Sequence, residues 1–286
     1  VSTCAAMVLA LALSAVSATR AQEVMWGGTT ERNMVGDATD VPTSWDVETG
    51  ENILWSTPLG SQTYGGPLIM GDKIFVGTNN QGLRNPKLTG DRGVIMAFSK
   101  TDGAFLWQAT HTKLPAGRVN DWPQQGICST PYIDGDRLFY ISNQGQVVCI
   151  DVEGFLDDEN DGPITDEVNR TEIDGDVVWS LDMIEELNVF PHNLATCSPV
   201  GAGDLLFVTT SNGVDEGHVL VPSPYAPSFL AVRKSTGEVV WEDASPGLDI
   251  LHGQWSNPSY GVIDGEPQVI FPGGDGWVYS FEPETG

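Results

Sequence analysis

Basic residues are scarce in this sequence of 286 residues. There are 13 Lys and Arg side chains against 39 Asp and Glu side chains, so the formal net charge at pH 7 is −26. A surface of this sign repels the phosphates of nucleic acids and the headgroups of anionic lipids. The composition therefore argues against nucleic-acid binding and peripheral membrane binding, and the simplest role of the acidity is to keep the surface well solvated.

Long apolar runs are also scarce. The clearest one covers residues 5–18, AAMVLALALSAVSA, and is too short for a comfortable transmembrane helix. Its small apolar residues are typical of the hydrophobic region of a signal peptide, with cleavage after Ala18 or Ala21. We predict a signal peptide over residues 1–21, truncated at its N-terminus because no basic segment or starting Met precedes the run. The mature chain is then exported, periplasmic or secreted, and has no membrane span.

Cysteine is rare as well. Cys4 precedes the apolar run and is not placed for lipid attachment at a cleavage site. The other three, Cys128, Cys149 and Cys197, are an odd number, which excludes a fully paired disulfide framework. Cys128 and Cys197 both stand ahead of a Ser-Pro or Ser-Thr-Pro sequence. This equivalence predicts small, buried positions in a repeat rather than functional thiols.

Helical patterns are nearly absent, and turn-forming residues are abundant. The chain has 33 Gly and 18 Pro, with one short helix-like run at 181–190. Pairs of short apolar stretches flank a Gly-Asp or Gly-Glu turn, as in GGPLIMGDKIFVGT and STPYIDGDRLFYIS. Such turns join adjacent antiparallel strands, so the pattern indicates an all-β protein.

Tryptophan recurs after a Gly turn and an apolar stretch. These segments end at Trp55, Trp107, Trp179 and Trp241, and a further copy, SFEPETG, stands at the end of the sequence. The interval is about 50 to 60 residues once an insertion at 155–174 is set aside, which is the size of a propeller blade. Each repeat supplies four short strands, A to D. The sequence therefore predicts a β-propeller of four-stranded antiparallel blades.

The repeat resembles the tryptophan-docking motif Ala-x-Asp-x-x-Thr-Gly-x-x-x-Trp of the quinoprotein-like (PQQ-repeat) β-propellers. Two copies that follow its spacing are Ala231-x-Arg233-x-x-Thr236-Gly237-x-x-x-Trp241 and Ala97-x-Ser99-x-x-Asp102-Gly103-x-x-x-Trp107. The resemblance covers roughly residues 44–286. It implies about seven or eight blades in a whole propeller, of which about four are visible in this incomplete fragment.

These patterns divide the chain into three parts. A signal peptide (1–21) is followed by an N-terminal extension (22–43) and by a partial propeller (44–286). The blade segments lie at about 44–60, 64–110, 128–182, 196–243 and 255–286. The first of them supplies only C and D strands before its Trp.

The repeated residues have a structural role. A Gly forms the C-to-D turn without a Cβ penalty, and a Trp on strand D packs flat between neighbouring blades. The docking residues predicted in this way are Trp55, Trp107, Trp179, Trp241, Gly103 and Gly237. The motif itself does not indicate that a cofactor is bound.

The long connections gather on one face of the predicted propeller. The B–C and D–A loops share a face, and they are much longer than the tight A–B turns. We expect a ligand-binding face made of their polar and aromatic side chains: Gln62, His111, Arg118, Asn120, Asp121, Trp122, Gln125, His192, Asn193, His218, His252 and Gln254. Amides and imidazoles at the channel mouth suit hydrogen bonds to a polar ligand, and a water-filled polar lining is the alternative.

The insertion contains a candidate metal site. In DDENDGPIT, residues 157–165, the side chains of Asp157, Glu159 and Asp161 place oxygen atoms ahead of a Gly turn, as in a Ca²⁺ loop. A solvated acidic loop is the alternative. The four His are not at a spacing typical of metal ligands, so we do not expect a His-metal site.

Two functions follow from the resemblance. The family includes dehydrogenases that oxidise alcohols or sugars with PQQ and Ca²⁺, and non-enzymatic scaffolds such as the propeller lipoprotein of outer-membrane β-barrel assembly. This sequence has no adjacent Cys pair and no matching metal-binding set, so we assign no catalytic residue. We favour an exported binding or scaffold propeller that takes a protein, peptide or carbohydrate ligand. The alternative is a PQQ- and Ca²⁺-dependent dehydrogenase with part of its site in missing chain.

Overall fold

A computed structural model describes residues 23–36 and 38–286. The predicted signal peptide lies outside the described residues. Within the described part of the chain, no helix has the length and apolar character needed to cross a membrane.

Four antiparallel sheets, here called blades 1 to 4, follow one another along the chain. Blade 1 contains β1 (Leu68–Met70), β2 (Lys73–Asn79), β3 (Arg92–Ser99) and β4 (Phe105–Thr112). Blade 2 contains β5 (Tyr132–Asp134), β6 (Arg137–Ile141), β7 (Gln146–Asp151) and β8 (Val177–Asp182). Blade 3 contains β9 (Val200–Ala202), β10 (Leu205–Thr209), β11 (Phe229–Arg233) and β12 (Val239–Asp243). Blade 4 contains β13 (Ser259–Ile263), β14 (Glu266–Pro272) and β15 (Val278–Phe281).

Within each blade the strands pair in chain order. This confirms the predicted all-β propeller architecture of antiparallel blades. The helix-like run also forms a short helix, α1 (Met183–Leu187), in the connection after blade 2. The Asp182 side chain caps it by accepting hydrogen bonds from the backbone N–H groups of Ile184 and Glu185.

The cores of blades 1 to 3 repeat one row of residues across their strands. A buried Phe on the second strand pairs with a small residue on the third, which pairs with the docking Trp on the fourth. The rows are Phe75–Ala97–Trp107, Phe139–Cys149–Trp179 and Phe207–Ala231–Trp241. Burial of each Phe contributes about 1.5–3 kcal/mol. The small middle residue leaves room for the aromatic rings on both sides.

The cysteines occupy buried positions. Cys128, Cys149 and Cys197 are all unpaired and buried, which confirms the burial predicted for Cys128 and Cys197. Burial raises the pKa of the Cys149 thiol to about 12 and that of Cys197 to about 11, so both stay protonated at neutral pH. Cys149 occupies the position at which blades 1 and 3 have Ala, so the packing at this position depends on a small side chain.

Each docking Trp packs on a Gly that belongs to the following blade. A Cβ built on that Gly would lie 2.5–3.0 Å from the indole ring, so a side chain there would displace the Trp. The pairs are Trp55–Gly103, Trp107–Gly154, Trp179–Gly237 and Trp241–Gly286. The indole N–H groups also donate to backbone carbonyls of the following blade, at Lys100 (2.9 Å), Val152 (3.2 Å), Lys234 (2.8 Å) and Pro283 (2.7 Å). The same four Gly have positive φ angles between 58° and 78°.

The segment before blade 1 differs from its prediction. Residues 44–60 contain no strand, although C and D strands were expected there. Trp55 nevertheless docks on Gly103 and donates to the Lys100 carbonyl. Docking therefore does not require the Trp to be held in a paired strand.

The N-terminal extension runs along the innermost strands of successive blades. Glu23 exchanges two backbone hydrogen bonds of 2.9 Å with Ile69 of blade 1, and Ile133 of blade 2 donates to the Val24 carbonyl. Further on, Tyr260 of blade 4 donates to the Thr30 carbonyl. This segment supplies partners for backbone groups that the inner strands leave unpaired.

Arg32 anchors the end of this segment. Its guanidinium donates to the carbonyls of Ser198 (2.9 Å) and Pro199 (3.0 Å) before blade 3, and of Pro258 (3.0 Å) before blade 4. Burial lowers the pKa of Arg32 to about 10, so it remains charged at neutral pH. One side chain therefore ties the extension to two adjacent blades.

Docking can be tested with two glycines of matched conformation. Gly203 has a φ of 56° and open space around a built Cβ, whereas Gly237 has a φ of 78° and an indole 2.7 Å from a built Cβ. We expect Gly203→Ala to lower the free energy of unfolding by about 1 kcal/mol through backbone strain alone. Gly237→Ala adds overpacking against Trp179 and is expected to cost about 3 kcal/mol in total.

Urea unfolding followed by tryptophan fluorescence measures both variants. Equal losses of stability at the two sites would show that the Trp–Gly contact does not hold the blades together.

Candidate functional site

The long loops of the structure gather at one face, as expected. They connect β2 to β3, β4 to β5, β8 to β9, β10 to β11 and β12 to β13. The connection after β4, in which His111 was expected, begins later than predicted because β4 continues to Thr112 through its pairing with β3. His111 therefore lies in a strand and not in a loop, which corrects its predicted place.

A groove of about 520 Å³ crosses the mouth of the propeller on this face. The four chain segments that lead into the innermost strands all contribute to it. Its lining consists of Tyr64, Trp122, Gln125, Asn193, Leu194, Thr196 and Trp255. Three of these seven residues are aromatic and two are amides, so the groove combines flat apolar surfaces with hydrogen-bonding groups.

The amides of the groove bond to one another across blades. Gln125 Nε2 donates to Gln62 Oε1 at 2.8 Å, and the Tyr64 hydroxyl donates to the same oxygen at 3.0 Å. The Trp122 backbone N–H donates to the Asn193 carbonyl at 2.7 Å. The structure thus brings Gln62, Trp122, Gln125 and Asn193 together at the mouth.

Arg118 lies next to the groove. Its guanidinium carbon lies 4.1 Å from the centre of the Trp122 ring, which is close enough for a cation–π contact. This contact holds the indole in one orientation while the Arg118 side chain stays exposed.

Two other predicted residues, Asn120 and Asp121, are buried and support the loops. Asp121 accepts hydrogen bonds from Lys113 Nζ, from the Leu114 backbone N–H at 2.9 Å and from Asn143 Nδ2 at 2.8 Å. Asn120 Nδ2 donates to the Pro191 carbonyl at 2.8 Å. Hydrogen bonds within the protein occupy both side chains, and neither lines the groove.

Gln254 has a similar supporting role. Its Oε1 accepts a 3.0 Å hydrogen bond from the Gly274 backbone N–H, and its Nε2 donates to the Ser228 hydroxyl. The side chain is buried and joins the connection before β13 to the loops of blades 3 and 4.

Three histidines converge beside the groove. His218 Nε2 lies 2.9 Å from His252 Nε2, and His252 Nε2 lies 2.8 Å from His192 Nε2. This His cluster, defined as His192, His218 and His252, could hold a metal ion, since its ligand atoms all lie within 4.8 Å of one another. The sequence spacing of the four His gave no sign of this cluster, because folding joins residues that lie 34 and 60 positions apart.

Main-chain hydrogen bonds hold the three His-bearing loops together. The His192 N–H donates to the Ser211 carbonyl at 3.0 Å, and the Val214 N–H donates to the His252 carbonyl at 2.8 Å. Gly213 and Gly253 form an isolated antiparallel bridge between two of the loops. These backbone hydrogen bonds therefore fix the positions of the three loops that carry the imidazoles.

The indole of Trp255 borders both the His cluster and the groove. Its ring centre lies 4.9 Å from that of His252 and 6.0 Å from that of His192, and its N–H donates to the His192 carbonyl at 3.2 Å. Burial lowers the pKa of His192, and burial also lowers the pKa of His252. Both shifts favour the neutral form of these rings.

The predicted Ca²⁺ loop is not assembled from its predicted ligands. Asp157 accepts a hydrogen bond from the Glu159 backbone N–H at 3.0 Å, and Asp161 forms a 3.2 Å ion pair with Arg137. Among the described residues, Asp157, Glu159 and Asp161 do not belong to a group of converging metal ligands. The loop instead folds back, and the Asp161 N–H donates to Asp176 Oδ2 at 2.7 Å.

His111 is separate from the groove and the His cluster. Its Nε2 lies 2.8 Å from the Tyr140 hydroxyl, and burial lowers the pKa of His111 to about 4. An unfolded His titrates near 6.5, so the unfolded chain takes up a proton first as the pH falls. The stability that neutral His111 provides is therefore present above about pH 6.5 and is lost as the pH falls towards 4.

His111→Gln should reduce the acid sensitivity of the fold. We expect the variant to lose about 2 kcal/mol less stability than the wild type between pH 7.5 and pH 5, since Gln has no proton to gain. Urea unfolding at both pH values in metal-free buffer gives the comparison. The same pH dependence in both proteins would contradict the burial of a neutral His111.

Comparisons with known proteins agree with the repeat pattern. Residues 85–155 match the family model described as outer membrane protein assembly factor BamB. This match covers parts of blades 1 and 2 and confirms the resemblance to the PQQ-repeat propellers. No curated protein matches the sequence.

Several solved structures are similar to the chain. BamB from Moraxella catarrhalis is 16% identical over 82% of this chain and 50% of its own, with a TM-score of 0.47. A quinohemoprotein alcohol dehydrogenase from Pseudomonas putida is 12% identical over 93% of this chain and 47% of its own, with a TM-score of 0.46. The computationally designed Ika4 protein is 11% identical over 82% of this chain and 98% of its own, with a TM-score of 0.41. The chain thus spans about half the length of the first two structures.

Proposed function

We propose that this chain, whose repeats resemble those of the PQQ-repeat β-propellers, is an exported binding or scaffold protein. In this proposal the groove on the loop face holds a peptide segment of a partner protein. The export part rests on the signal-peptide pattern of residues 1–21.

The observation that carries the proposal is the lining of the groove. Tyr64 is 63% exposed, and Trp122 and Trp255 present further aromatic surface beside the amides of Gln125 and Asn193. Aromatic side chains dominate the binding energy of protein interfaces, and amides can bond to the backbone of a bound peptide. This combination suits a polar polymer with apolar side chains.

The groove is also held in shape before binding. The hydrogen bonds of Asn120 and Asp121 fix the loop that carries Trp122, and Arg118 stacks on its ring. A preformed groove avoids the entropy cost of ordering loops when the ligand arrives.

The family description and the charge favour a protein partner. The description that matches residues 85–155 names an assembly factor for outer membrane proteins, which supports a role in holding other polypeptides. With a net charge of −26, the chain attracts segments that carry Lys or Arg and repels acidic ones. We therefore favour an extended segment with basic residues over a neutral carbohydrate.

The dehydrogenase alternative requires a site for PQQ and Ca²⁺. No carboxylate is among the residues that line the groove, and Asp121 is occupied by Lys113, Leu114 and Asn143. Ca²⁺ takes oxygen ligands that include carboxylates. The residues at this groove therefore do not fit a PQQ–Ca²⁺ pair, and we derive no dehydrogenase step from them.

A peptide library tests the binding proposal. We expect selection on the intact chain to yield peptides rich in Lys or Arg, and Trp122→Ala to weaken their binding at least about 10-fold because it removes an aromatic anchor. Val168→Ser is the matched control, since Val168 is 97% exposed in the insertion between β7 and β8. Fluorescence anisotropy of labelled peptides measures both variants.

Binding that Trp122→Ala leaves unchanged would contradict the groove as the binding site. A parallel glycan array separates the ligand classes, because selective glycan binding without peptide binding would replace the peptide proposal. Dye-linked oxidation of alcohols or sugars after addition of PQQ and Ca²⁺ would instead support the dehydrogenase.

A further inference from the structure

We propose that His192, His218 and His252 bind a Zn²⁺ ion through their Nε2 atoms and leave one coordination position open to solvent. This inference does not depend on the peptide proposal. It starts from the two short Nε2···Nε2 distances, 2.9 Å and 2.8 Å, which both involve His252.

The protons of the cluster cannot satisfy these contacts in the neutral state. His192 Nδ1 lies 2.7 Å from the Val214 carbonyl, which can only accept, so His192 carries its proton on Nδ1. Its Nε2 is then a lone pair, and His252 Nε2 must donate to it. His252 Nε2 then has no lone pair left to accept a hydrogen bond from His218. The contact between His218 Nε2 and His252 Nε2 is therefore not a second good hydrogen bond. A cation at the centre would use all three lone pairs.

The spacing is close to that of a three-His zinc site. Zn–N bonds of about 2.0–2.1 Å in a tetrahedral site place the nitrogen ligands about 3.3 Å apart. The observed distances of 2.9 Å and 2.8 Å would need to lengthen by about half an ångström. His218 and His252 are exposed, so small rotations of their rings provide this change.

The surroundings orient the ligands as in known metal sites. A metal-bound His commonly donates its other ring N–H to a backbone carbonyl, and His192 does so to Val214. Gly213 lets the loops approach, because a Cβ there would lie 2.5 Å from the His252 carbonyl oxygen and 2.6 Å from His192 Cβ. The Asp215 carboxylate accepts the Val219 N–H at 2.8 Å and shapes the turn that carries His218.

The type of ion and its open position follow from the ligands. Neutral imidazoles suit Zn²⁺ better than Ca²⁺ or Mg²⁺, which prefer oxygen ligands. Three protein ligands leave the fourth tetrahedral position for water or for a donor atom of a bound molecule. Trp255 separates the His cluster from the groove, so the ion would sit at the rim of the proposed binding site.

Calorimetric titration with ZnCl₂ tests the site on intact chain purified without a polyhistidine tag. We expect one ion per chain, and His218→Asn and His252→Gln to weaken binding at least about 100-fold each. Asn suits position 218 because His218 has a φ of 56°, which Asn tolerates. Excess Ca²⁺ in the buffer blocks binding to surface carboxylates without competing for imidazoles.

His111→Gln is the matched control, since it removes the fourth His of the chain and should leave Zn²⁺ affinity unchanged. Substitution with Co²⁺ gives a second measurement, because its visible absorption reports four-coordinate geometry. The proposal is overturned if Zn²⁺ does not bind more tightly than millimolar, or if the His218 and His252 variants bind it like the wild type.

A separate observation in the connection between β7 and β8 carries a second inference. Three oxygen atoms there are buried and have no hydrogen-bond partner: Asn160 Oδ1, Glu167 Oε1 and Asp176 Oδ1. Asp176 is only 1% exposed, its carboxyl group contacts that of Glu167, and Asn160 Nδ2 lies 3.2 Å from Glu167 Oε2. We infer that these three oxygens bind Ca²⁺, in place of the exposed Asp157 and Glu159.

The chemistry of the three groups supports a cation. The buried carboxyl group of Asp176 and the half-buried carboxyl group of Glu167 repel each other unless a proton or a cation lies between them. Ca²⁺ accepts carboxylate and amide oxygens together with water, and it tolerates irregular geometry. The oxygens that lack partners in the protein would thereby be satisfied.

Thermal unfolding in metal-free buffer and in CaCl₂ tests this second site. We expect Ca²⁺ to raise the Tm of the wild type, Asp176→Asn to abolish the increase, and Asp157→Asn to keep it as the matched control. No Ca²⁺-dependent increase in the wild type would overturn the inference and assign the contact to a shared proton. An increase that Asp176→Asn retains, or that Asp157→Asn abolishes, would also overturn it.

Discussion

The contact between a tryptophan indole and the glycine of the next blade is the constraint on which the rest of the structure depends. The indole fills the space that a Cβ would take and donates its N–H to a nearby carbonyl of that blade, as Trp179 does over Gly237 and to Lys234. The Trp and the Gly turn each come from a local sequence pattern, but the contact between them fixes the position of one blade relative to the next. A tight turn alone would leave the blades free to slide, because turns act only within one blade.

This arrangement determines where the functional loops lie. The segments before β1, β5, β9 and β13 reach the mouth side by side because their blades are docked on one another, and together they line the groove. The His cluster draws on the same geometry, since His192 precedes blade 3, His218 lies within its loops and His252 precedes blade 4. A rotation of one blade would separate the imidazoles without breaking any sheet.

Some elements could be predicted from the sequence and others could not. The Gly turns, the Trp positions and the burial of Cys128 and Cys197 follow from local repeats, and the structure shows the Trp–Gly contacts and the buried thiols. The end of β4 was placed too early, since its last residues are polar and are kept in the strand by pairing with Arg92 and Gly93. The function of Arg32 had no sequence signal, because it acts on carbonyl groups, which every residue carries.

The sequence by itself determined the class of fold, since the spacing of Gly and Trp reflects contacts that each repeat makes in the same way. Only the tertiary structure decided which polar side chains meet. His192 and His252 are 60 positions apart, and their distance depends on how two blades dock and not on any local preference. The same reason explains why Asp121 and Trp122 differ although they are neighbours in the chain. Asp121 accepts a hydrogen bond from Lys113, whereas Trp122 lines the groove.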